Sequence, residues 1–188
     1  MSSSVLFASS NENKFEEVST ILSELGISSQ FFRCELQEIQ ANNLDEVARF
    51  KANYAFSLCS KPVIVEDDGL FIPSLRGFPG PYSSFALGTI GNKGILRLLA
   101  RQRSAFFRSI IAYREKEGSV MLFDAVVHGK ISKKIQGNGW GFDPIFIPQG
   151  QTMTYSQLKN TKNHISHRYL ALRKFANWYL HKKKSNDL

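Results

Sequence analysis

Apolar and polar residues alternate along this chain with two different periods. Val5–Ala8 is a short apolar run, and the segment Phe15–Leu25 carries apolar residues at helical spacing. A short apolar run predicts a buried strand, and an i, i+3, i+4 stripe predicts an amphipathic helix. Asn11 or Asn13 can cap this helix. Because the next run, Ile27–Cys34, again has strand character, the N-terminal third predicts a β-α-β unit.

The same two patterns continue through the middle of the chain. A second helix is predicted after Asn43, with Glu46 at the capping-box position and an apolar stripe that ends at Leu58. Pro62 stops the helix, and the apolar run Val63–Val65 predicts a central strand. Two prolines and two glycines between residues 77 and 81 indicate an ordered turn, and residues 92–100 predict another short helix.

The C-terminal half predicts a hairpin followed by a helix. Phe106–Tyr113 and Val120–Lys130 are β-rich and flank a polar turn, and residues 120–127 are largely apolar on both faces, which favours a central strand. Ser166 can cap a last helix, and its inward-facing residues are predicted to be Leu172, Phe175, Ala176 and Tyr179. The fold class is therefore α/β, with a single mixed α/β domain over residues 1–188 and a basic tail from about residue 181.

Composition restricts the cellular location and the binding partners that we expect for the protein. No apolar run approaches the roughly 18 residues of a membrane span, and Met1–Ser4 lacks the basic start of a secretory signal. Cys34 and Cys59 have no CxxC spacing, so we expect a reducing cytoplasm. The net charge of +8 attracts polyanions such as nucleic acid, an anionic membrane or a nucleoside triphosphate, and charge alone does not choose among them.

The segment Gly139–Pro144 has the strongest chemical signature. Its glycines alternate with Trp140 and Phe142, and proline follows Asp143. Glycine allows a ligand to approach the backbone, and the residue before proline is extended, so the loop can present aromatic faces and one acceptor to a nucleobase. The alternative is a tight turn with both rings in the core.

Two further segments are typical of phosphate and metal chemistry. Ser9, Ser10 and Asn11 precede a helix that carries Lys14, which is a possible anion site without a Walker A loop. Glu66-Asp67-Asp68 follows an apolar strand, where Mg²⁺ would relieve the repulsion and Glu35 or Glu38 could add a ligand. The alternatives are an ordinary capped helix and a solvated acidic turn.

The segment Lys162–Arg168 is a basic helix start. His164 and His167 are three residues apart, but no cysteine or third histidine accompanies them, so a zinc site is not predicted. Lys162 and Arg168 are better explained as donors to anionic or carbonyl oxygens, with His167 beside them. A positive charge at a helix N-terminus is otherwise unfavourable, which makes a bound acceptor plausible.

Together, and in this order, these segments resemble the inosine/xanthosine triphosphate pyrophosphatase family, which acts on noncanonical purine nucleotides. The segments that carry the resemblance are Ser9–Lys14, Glu66–Leu70 with Gly77–Ser83, Gly139–Phe146 and Lys162–Leu172. The resemblance implies Mg²⁺-dependent hydrolysis of ITP, dITP or XTP to the monophosphate and pyrophosphate. It also implies an elongated fold, with two lobes flanking a central nucleotide-binding cleft, and a homodimer without a membrane or a stable nucleic-acid partner.

The resemblance also assigns roles to individual residues. Lys14 and Asp67 would be catalytic, and Glu38 and Asp67 would bind the metal. The residues that would bind the substrate are Ser9, Asn11, Lys14 and Lys51 for the triphosphate, Trp140 and Phe142 for the base faces, Asp143, His167 and Arg168 for the base edge, and Lys162 for the phosphate or ribose.

Two positions depart from the family pattern. Ser10 replaces a glycine, and Asp68 replaces a small hydroxyl residue and adds a negative charge. Two other functions are compatible with the sequence. A nucleic-acid-binding module would use the basic residues and aromatic stacking but would not use the carboxylates, and a pyrophosphatase for other modified nucleotides would share the phosphate machinery.

Overall fold

The structure is a computed structural model that describes residues 4–186. Six strands form one sheet in the order β2-β1-β3-β4-β5-β6. The strands are β1 (Ser4–Ser9), β2 (Ser28–Arg33), β3 (Val63–Phe71), β4 (Ser104–Arg114), β5 (Met121–Ile131) and β6 (Phe146–Pro148). Strand β1 pairs in parallel with β2 and β3, whereas β5 and β6 are antiparallel. The predicted mixed α/β class is confirmed.

Seven α-helices accompany the sheet within residues 4–186. They are α1 (Glu12–Glu24), α2 (Leu44–Cys59), α3 (Ser83–Thr89), α4 (Gly91–Leu98), α5 (Tyr155–Leu158), α6 (Lys162–Ile165) and α7 (His167–Asn186), with 3₁₀ turns at Pro73–Leu75, Gly80–Tyr82 and Lys159–Thr161. In this part of the chain, no helix has the length and apolar character needed to cross a membrane.

The helix caps lie where the sequence predicts them. The Asn11 side chain accepts a hydrogen bond from the Lys14 backbone N–H, and Asn43 does the same for Glu46. Each bond satisfies one of the N–H groups that a helix leaves unpaired in its first turn. Strand β1 therefore leads directly into the N-terminus of α1, and the β-α-β unit is confirmed.

The described chain divides into two compact units. The first contains residues 4–67, 109–125 and 168–186, and the second contains residues 68–108 and 126–167. The core of the first unit includes Phe7, Ile21 and Phe175, and the core of the second includes Leu70, Phe107 and Phe146. Each unit thus has its own buried apolar cluster, to which strands and helices both contribute.

Two sequence predictions are corrected by the structure, one is confirmed only in part, and several elements were not predicted. Strand β3 continues to Phe71, so the three carboxylates lie inside a strand and not at its end. Leu58 is 47% exposed because it lies in the last turn of α2, beyond the buried stripe. Helices α3, α5 and α6 and strand β6 were not predicted. Strand β5 has neighbours on both sides, but β6 pairs only with its last three residues, and most of β5 is half-buried or exposed.

Candidate active site

The first cluster joins two carboxylates to one buried ammonium. Lys51, on α2, is 6% exposed, and its Nζ lies 2.8 Å from Glu38 Oε1 and 3.1 Å from Asp67 Oδ1. Glu38 lies in the segment before α2, and Asp67 lies on β3. Tertiary packing therefore brings together three predicted site residues that are separated by up to 29 positions in the chain.

The charge of Lys51 follows from two opposing effects on its pKa. Burial lowers the pKa of the ammonium, but the Asp67 and Glu38 carboxylates outweigh burial and raise the pKa above its ordinary value. Lys51 is therefore a cation at any assay pH near neutrality. It neutralises part of the charge on the carboxylates, and its two bonds hold them in defined orientations.

A second cluster in the same unit is built around Glu66, whose carboxylate is fully buried. It accepts hydrogen bonds from Ser109 Oγ at 2.7 Å and from Arg168 Nε at 2.8 and 3.0 Å, and Lys14 Nζ lies 4.0 Å away. Arg168 also donates through Nη1 to Glu17 on α1. Arg168, predicted to read a base edge, is 1% exposed and is held in ion pairs with two carboxylates.

The start of α1 forms a hydrogen-bonded turn at the position where the sequence predicts an anion site. The Asn11 N–H donates to Ser9 Oγ at 3.0 Å, and the Lys14 N–H donates to Asn11 Oδ1 at 3.1 Å. These bonds shape the turn at the positive end of the helix dipole. Ser10, where the family pattern has glycine, is exposed and does not adopt a positive φ. The conformational freedom of glycine is therefore not required at this position.

In the second unit, the loop Gly139–Pro144 depends on both of its glycines. A Cβ at Gly139 would lie 2.2 Å from Ser156 Oγ, and Gly141 has a φ of +61°. A side chain would clash at the first position and would be strained at the second. The loop presents its two rings differently, because Trp140 is half-buried whereas Phe142 is 4% exposed and belongs to the core. Phe142 therefore follows the alternative of a ring packed in the core.

Lys162 connects this loop to the basic segment before α7. Its Nζ lies 2.6 Å from Asp143 Oδ2 and 5.3 Å from the centroid of the Trp140 ring. Both Lys162 and Asp143 are buried. The ion pair and the cation–π contact fix the orientation of the carboxylate and of the indole, so three predicted site residues form one group.

His167 has an aromatic environment in the second unit. Its ring stacks on Phe107 with a centroid distance of 4.3 Å and an interplanar angle of 7°, and the side chain is 3% exposed. Its Nε2 lies 3.9 Å from Asp68 Oδ2. The carboxylate of Asp68, the second departure from the family pattern, thus faces a base-edge candidate.

The sequence interpretation missed three residues of these clusters: Glu17, Phe107 and Ser109. Glu17 lies one turn after Lys14 on α1, which places both on one helix face. Ser109 is a buried hydroxyl group within an otherwise largely apolar strand, and Phe107 lies two positions before it on β4. Ser109 could have been recognised from the sequence as a polar residue in an apolar strand. No sequence feature identifies Phe107 as the stacking partner of His167.

The donor set of the first cluster fits a hard divalent cation. Two carboxylates already converge on one cationic group, and Mg²⁺ in proteins takes one or two carboxylates together with phosphate oxygens and water. Within residues 4–186, no group of three or more His, Cys, Asp or Glu side chains is arranged as a complete metal site. A cation held by Glu38 and Asp67 would therefore need oxygens from a ligand or from water.

Fold and clusters together define a class of protein. It is a mixed α/β protein with a capped turn between β1 and α1, a strand rich in carboxylates and a glycine-aromatic loop. The chain belongs to the Ham1 family, because the model of that family matches residues 5–178.

Individual relatives match over nearly their whole length. A dITP/XTP pyrophosphatase from Methanopyrus kandleri is 44% identical, with 93% of this chain and 95% of the relative covered. One from Saccharolobus solfataricus is 44% identical over 88% of each chain. Among solved structures, a HAM1 protein from Coxiella burnetii has a TM-score of 0.80 and 26% identity, with 95% of this chain and 99% of that chain covered.

Proposed function

We propose that this protein hydrolyses noncanonical purine nucleoside triphosphates, namely dITP, ITP and XTP, to the monophosphate and pyrophosphate. The observation that carries the proposal is the pair of carboxylates, Glu38 and Asp67, held on the buried ammonium of Lys51. Relatives that are 41–44% identical bear the name dITP/XTP pyrophosphatase, which supports the same substrate class. The reaction removes inosine and xanthosine triphosphates from the nucleotide pool and leaves their monophosphates.

The first unit supplies the phosphate chemistry in this proposal. The triphosphate binds to Lys14, to Lys51 and to the turn formed by Ser9 and Asn11. These groups neutralise its charge. Asp67 orients a water molecule and accepts its proton, while the water oxygen bonds to phosphorus and the α–β anhydride bond breaks. Phosphoryl transfer depends on positioning and charge neutralisation more than on a covalent nucleophile. Cationic side chains and a carboxylate are therefore the types of residue that this reaction requires.

Glu38 and Asp67 would hold the divalent cation, which we propose to be Mg²⁺. When bound, such an ion neutralises phosphate charge and polarises the phosphoryl oxygens. Lys51 contacts the same two carboxylates and keeps them oriented.

Glu38→Gln is expected to raise the Mg²⁺ concentration that gives half-maximal activity, because one anionic ligand is lost. A Mg²⁺ titration of dITP hydrolysis measures this effect, and Glu35→Gln is the matched control. Superimposable titrations of Glu38→Gln and the parent enzyme would remove Glu38 from the metal site.

The second unit supplies most of the recognition of the base. Trp140 stacks on the purine, and Phe142 contributes from the core by supporting the loop. Asp143 and His167 distinguish a 6-oxo purine, which has an O6 acceptor and an N1–H donor, and the role of Arg168 as a donor to O6 is a separate part of the proposal. Adenine reverses that pattern and would leave polar groups unpaired, which is costly. Lys162 orients Asp143 and Trp140, and serves the phosphate or ribose.

Lys14→Ala is expected to weaken binding of a triphosphate far more than binding of the nucleoside. Lys14 lies in the first turn of α1, where the helix dipole and free N–H groups favour an anion. Calorimetric titration with a non-hydrolysable dITP analogue and with deoxyinosine measures the two affinities. Lys93→Ala, a change at an exposed lysine of α4, is the control. Equal losses for both ligands would indicate that Lys14 acts through folding.

Trp140→Ala is expected to lower kcat/KM for every purine triphosphate by a similar factor. Stacking on an aromatic ring contributes about 1–3 kcal/mol per base, which corresponds to a loss of about 5- to 150-fold. Steady-state kinetics with dITP, XTP and dATP measure the factor. Trp140→Phe retains a stacking face and is expected to recover most of the activity. If Trp140→Phe is as impaired as Trp140→Ala, the role of Trp140 is not stacking.

A substrate panel tests the function as a whole. The purified protein is incubated with dITP, ITP, XTP, dATP, dGTP and dUTP, with and without Mg²⁺, and pyrophosphate and monophosphate are quantified. We expect pyrophosphate from dITP, ITP and XTP only when Mg²⁺ is present. Preferential hydrolysis of a modified pyrimidine triphosphate would support the second pyrophosphatase alternative, and no hydrolysis of any nucleotide would contradict the proposal.

We also propose that the protein is a cytoplasmic homodimer. Both cysteines are free, which is compatible with a reducing compartment. In the second unit, Phe78, Tyr82 and Phe85 lie close together in the chain and are 37%, 42% and 70% exposed. Exposed aromatic groups of this kind are typical of interfaces between proteins. Sedimentation velocity at several protein concentrations determines the oligomeric state.

A further inference from the structure

The charge of this chain is distributed very unevenly. The second unit, residues 68–108 and 126–167, contains eleven lysines and arginines, two aspartates and no glutamate. Its formal charge is +9, whereas the rest of the chain carries −1 and the whole chain +8. The excess of positive charge therefore lies entirely in the unit that also contains the aromatic loop.

The two aspartates of this unit do not offset its surface charge. Asp143 is 8% exposed and forms an ion pair with Lys162, and the Asp68 side chain is 15% exposed and faces His167. Over residues 68–108 and 126–167, all of which are described, no carboxylate is fully exposed. The electrostatic potential of this surface is therefore positive. It attracts polyanions over roughly a Debye length, about 8–10 Å in physiological salt.

Several of the cations are brought together by one arginine. Arg103 donates to the backbone oxygens of Ile131 at 2.9 Å and of Leu99 at 3.3 Å, and also to that of Ser132. These bonds fasten the segment after α4 to the end of β5. The exposed cations of α4 and of the two joined segments, which we call the basic surface, are Arg97, Arg101, Lys130, Lys133 and Lys134.

An open cavity of about 590 Å³ adjoins the basic surface and shares Lys130 with it. Phe106 and His128 line the cavity with their rings 5.7 Å apart, and Gln149 and Gln151 add amide groups. The other neighbour of Phe106 is Phe71, stacked at 5.0 Å, which supports the ring from behind. A cavity of this volume accommodates a nucleobase with its sugar, and the aromatic rings and amides suit stacking and hydrogen bonds to base edges.

We propose that the basic surface and this cavity bind single-stranded nucleic acid. The cations contact the phosphate backbone, and a base stacks in the cavity against Phe106 and His128. Positive residues beside an aromatic platform are the combination that single-strand-binding proteins use. None of these residues belongs to the nucleotide-hydrolysing clusters, so this surface is separate from the proposed activity and differs from the resemblance, which implies no stable nucleic-acid partner.

The first test is fluorescence anisotropy with a labelled twenty-nucleotide oligothymidylate. Four or five phosphate contacts predict that the dissociation constant rises by about 50- to 130-fold between 50 and 200 mM NaCl. An abasic strand of equal length is expected to bind at least about fivefold more weakly, because it cannot stack. Equal affinity for both strands would remove the cavity from the proposal, and the absence of binding at 50 mM NaCl would overturn it.

Matched charge reversals locate the surface. The variant Arg101→Glu/Lys133→Glu/Lys134→Glu is compared with Lys61→Glu/Lys116→Glu/Lys184→Glu, which makes the same charge change at exposed lysines of the first unit. We expect the first variant to lose at least about tenfold in affinity and the second to lose less than threefold. Equal losses would mean that net charge alone is responsible.

Three controls separate this proposal from others. Circular dichroism confirms folding, and should the triple variant fail to fold, Lys133→Glu/Lys134→Glu replaces it, with Lys61→Glu/Lys116→Glu as its control. Both triple variants are expected to hydrolyse dITP at the parental rate, so failure of the proposed function would be seen independently. Displacement of the oligonucleotide by dITP, or tighter binding to phosphatidylserine vesicles at the same salt concentration, would overturn the proposal.

Discussion

Replacing Asp67 with asparagine is expected to lower kcat for dITP hydrolysis by about 10²–10⁴, the usual contribution of a positioned acid–base group. Asparagine retains an oxygen that can accept from Lys51, so the local geometry is preserved while the base and the anionic metal ligand are lost. Single-turnover kinetics with saturating dITP and Mg²⁺ measure the chemical step, and thermal unfolding measured by circular dichroism verifies that the fold is retained.

The control for this experiment is the neighbouring carboxylate. Successive side chains of a strand point to opposite faces, so Asp68→Asn makes the same chemical change on the other face of β3. We expect less than a tenfold loss for Asp68→Asn. Comparable losses in both variants would show that the total charge of the strand matters and that Asp67 is not the base. Activity of Asp67→Asn within a few-fold of the parent would contradict the assignment directly.

Arg168→Ala is expected to reduce the free energy of unfolding by about 3–5 kcal/mol, because removing one partner of a buried ion pair leaves uncompensated charge. Arg168 is almost fully buried, and its guanidinium pairs with Glu66 and Glu17. Truncation would leave the fully buried Glu66 with Ser109 and the more distant Lys14. Urea unfolding followed by circular dichroism measures the change.

Base selection by Arg168 is tested in parallel. The ratio of kcat/KM for dITP over dATP is measured under conditions where the variant is folded, and Arg173→Ala, at an exposed position of the same helix, is the control. If Arg168 donates to O6, the ratio falls strongly in Arg168→Ala and is unchanged in Arg173→Ala. An unchanged ratio combined with a large loss of stability would assign Arg168 to the ion-pair network alone.

Local chemistry explains which elements were predictable. Asn11 and Asn43 cap helices through bonds to residues three positions ahead, and such short-range bonds depend little on the rest of the fold. The inward-facing residues of α7, from Leu172 to Tyr179, follow from the helical period and are buried as predicted. The glycine-aromatic loop was identifiable because glycine relieves a steric contact at Gly139 and a positive φ at Gly141.

The predictions that failed depended on partners distant in sequence. The apolar run Val63–Val65 predicted a strand that ends before the three carboxylates, yet β3 continues through them because Glu66 and Asp67 pair with Arg168, Ser109 and Lys51. Buried charge is tolerated only when it is paired. No local pattern in residues 66–68 identifies those partners, which lie up to 102 positions away.

By itself, the sequence determined the mixed α/β class, the helix caps and the short segments in which the candidate site residues occur. These features follow from backbone conformation and from side-chain bonds within a few residues. Tertiary structure alone decided that Lys51 joins Glu38 to Asp67, that Phe142 lies in the core beside a half-buried Trp140, and that Arg168 is held by Glu66 and Glu17. Burial and charge pairing are properties of the packed chain, because each depends on which distant residues approach.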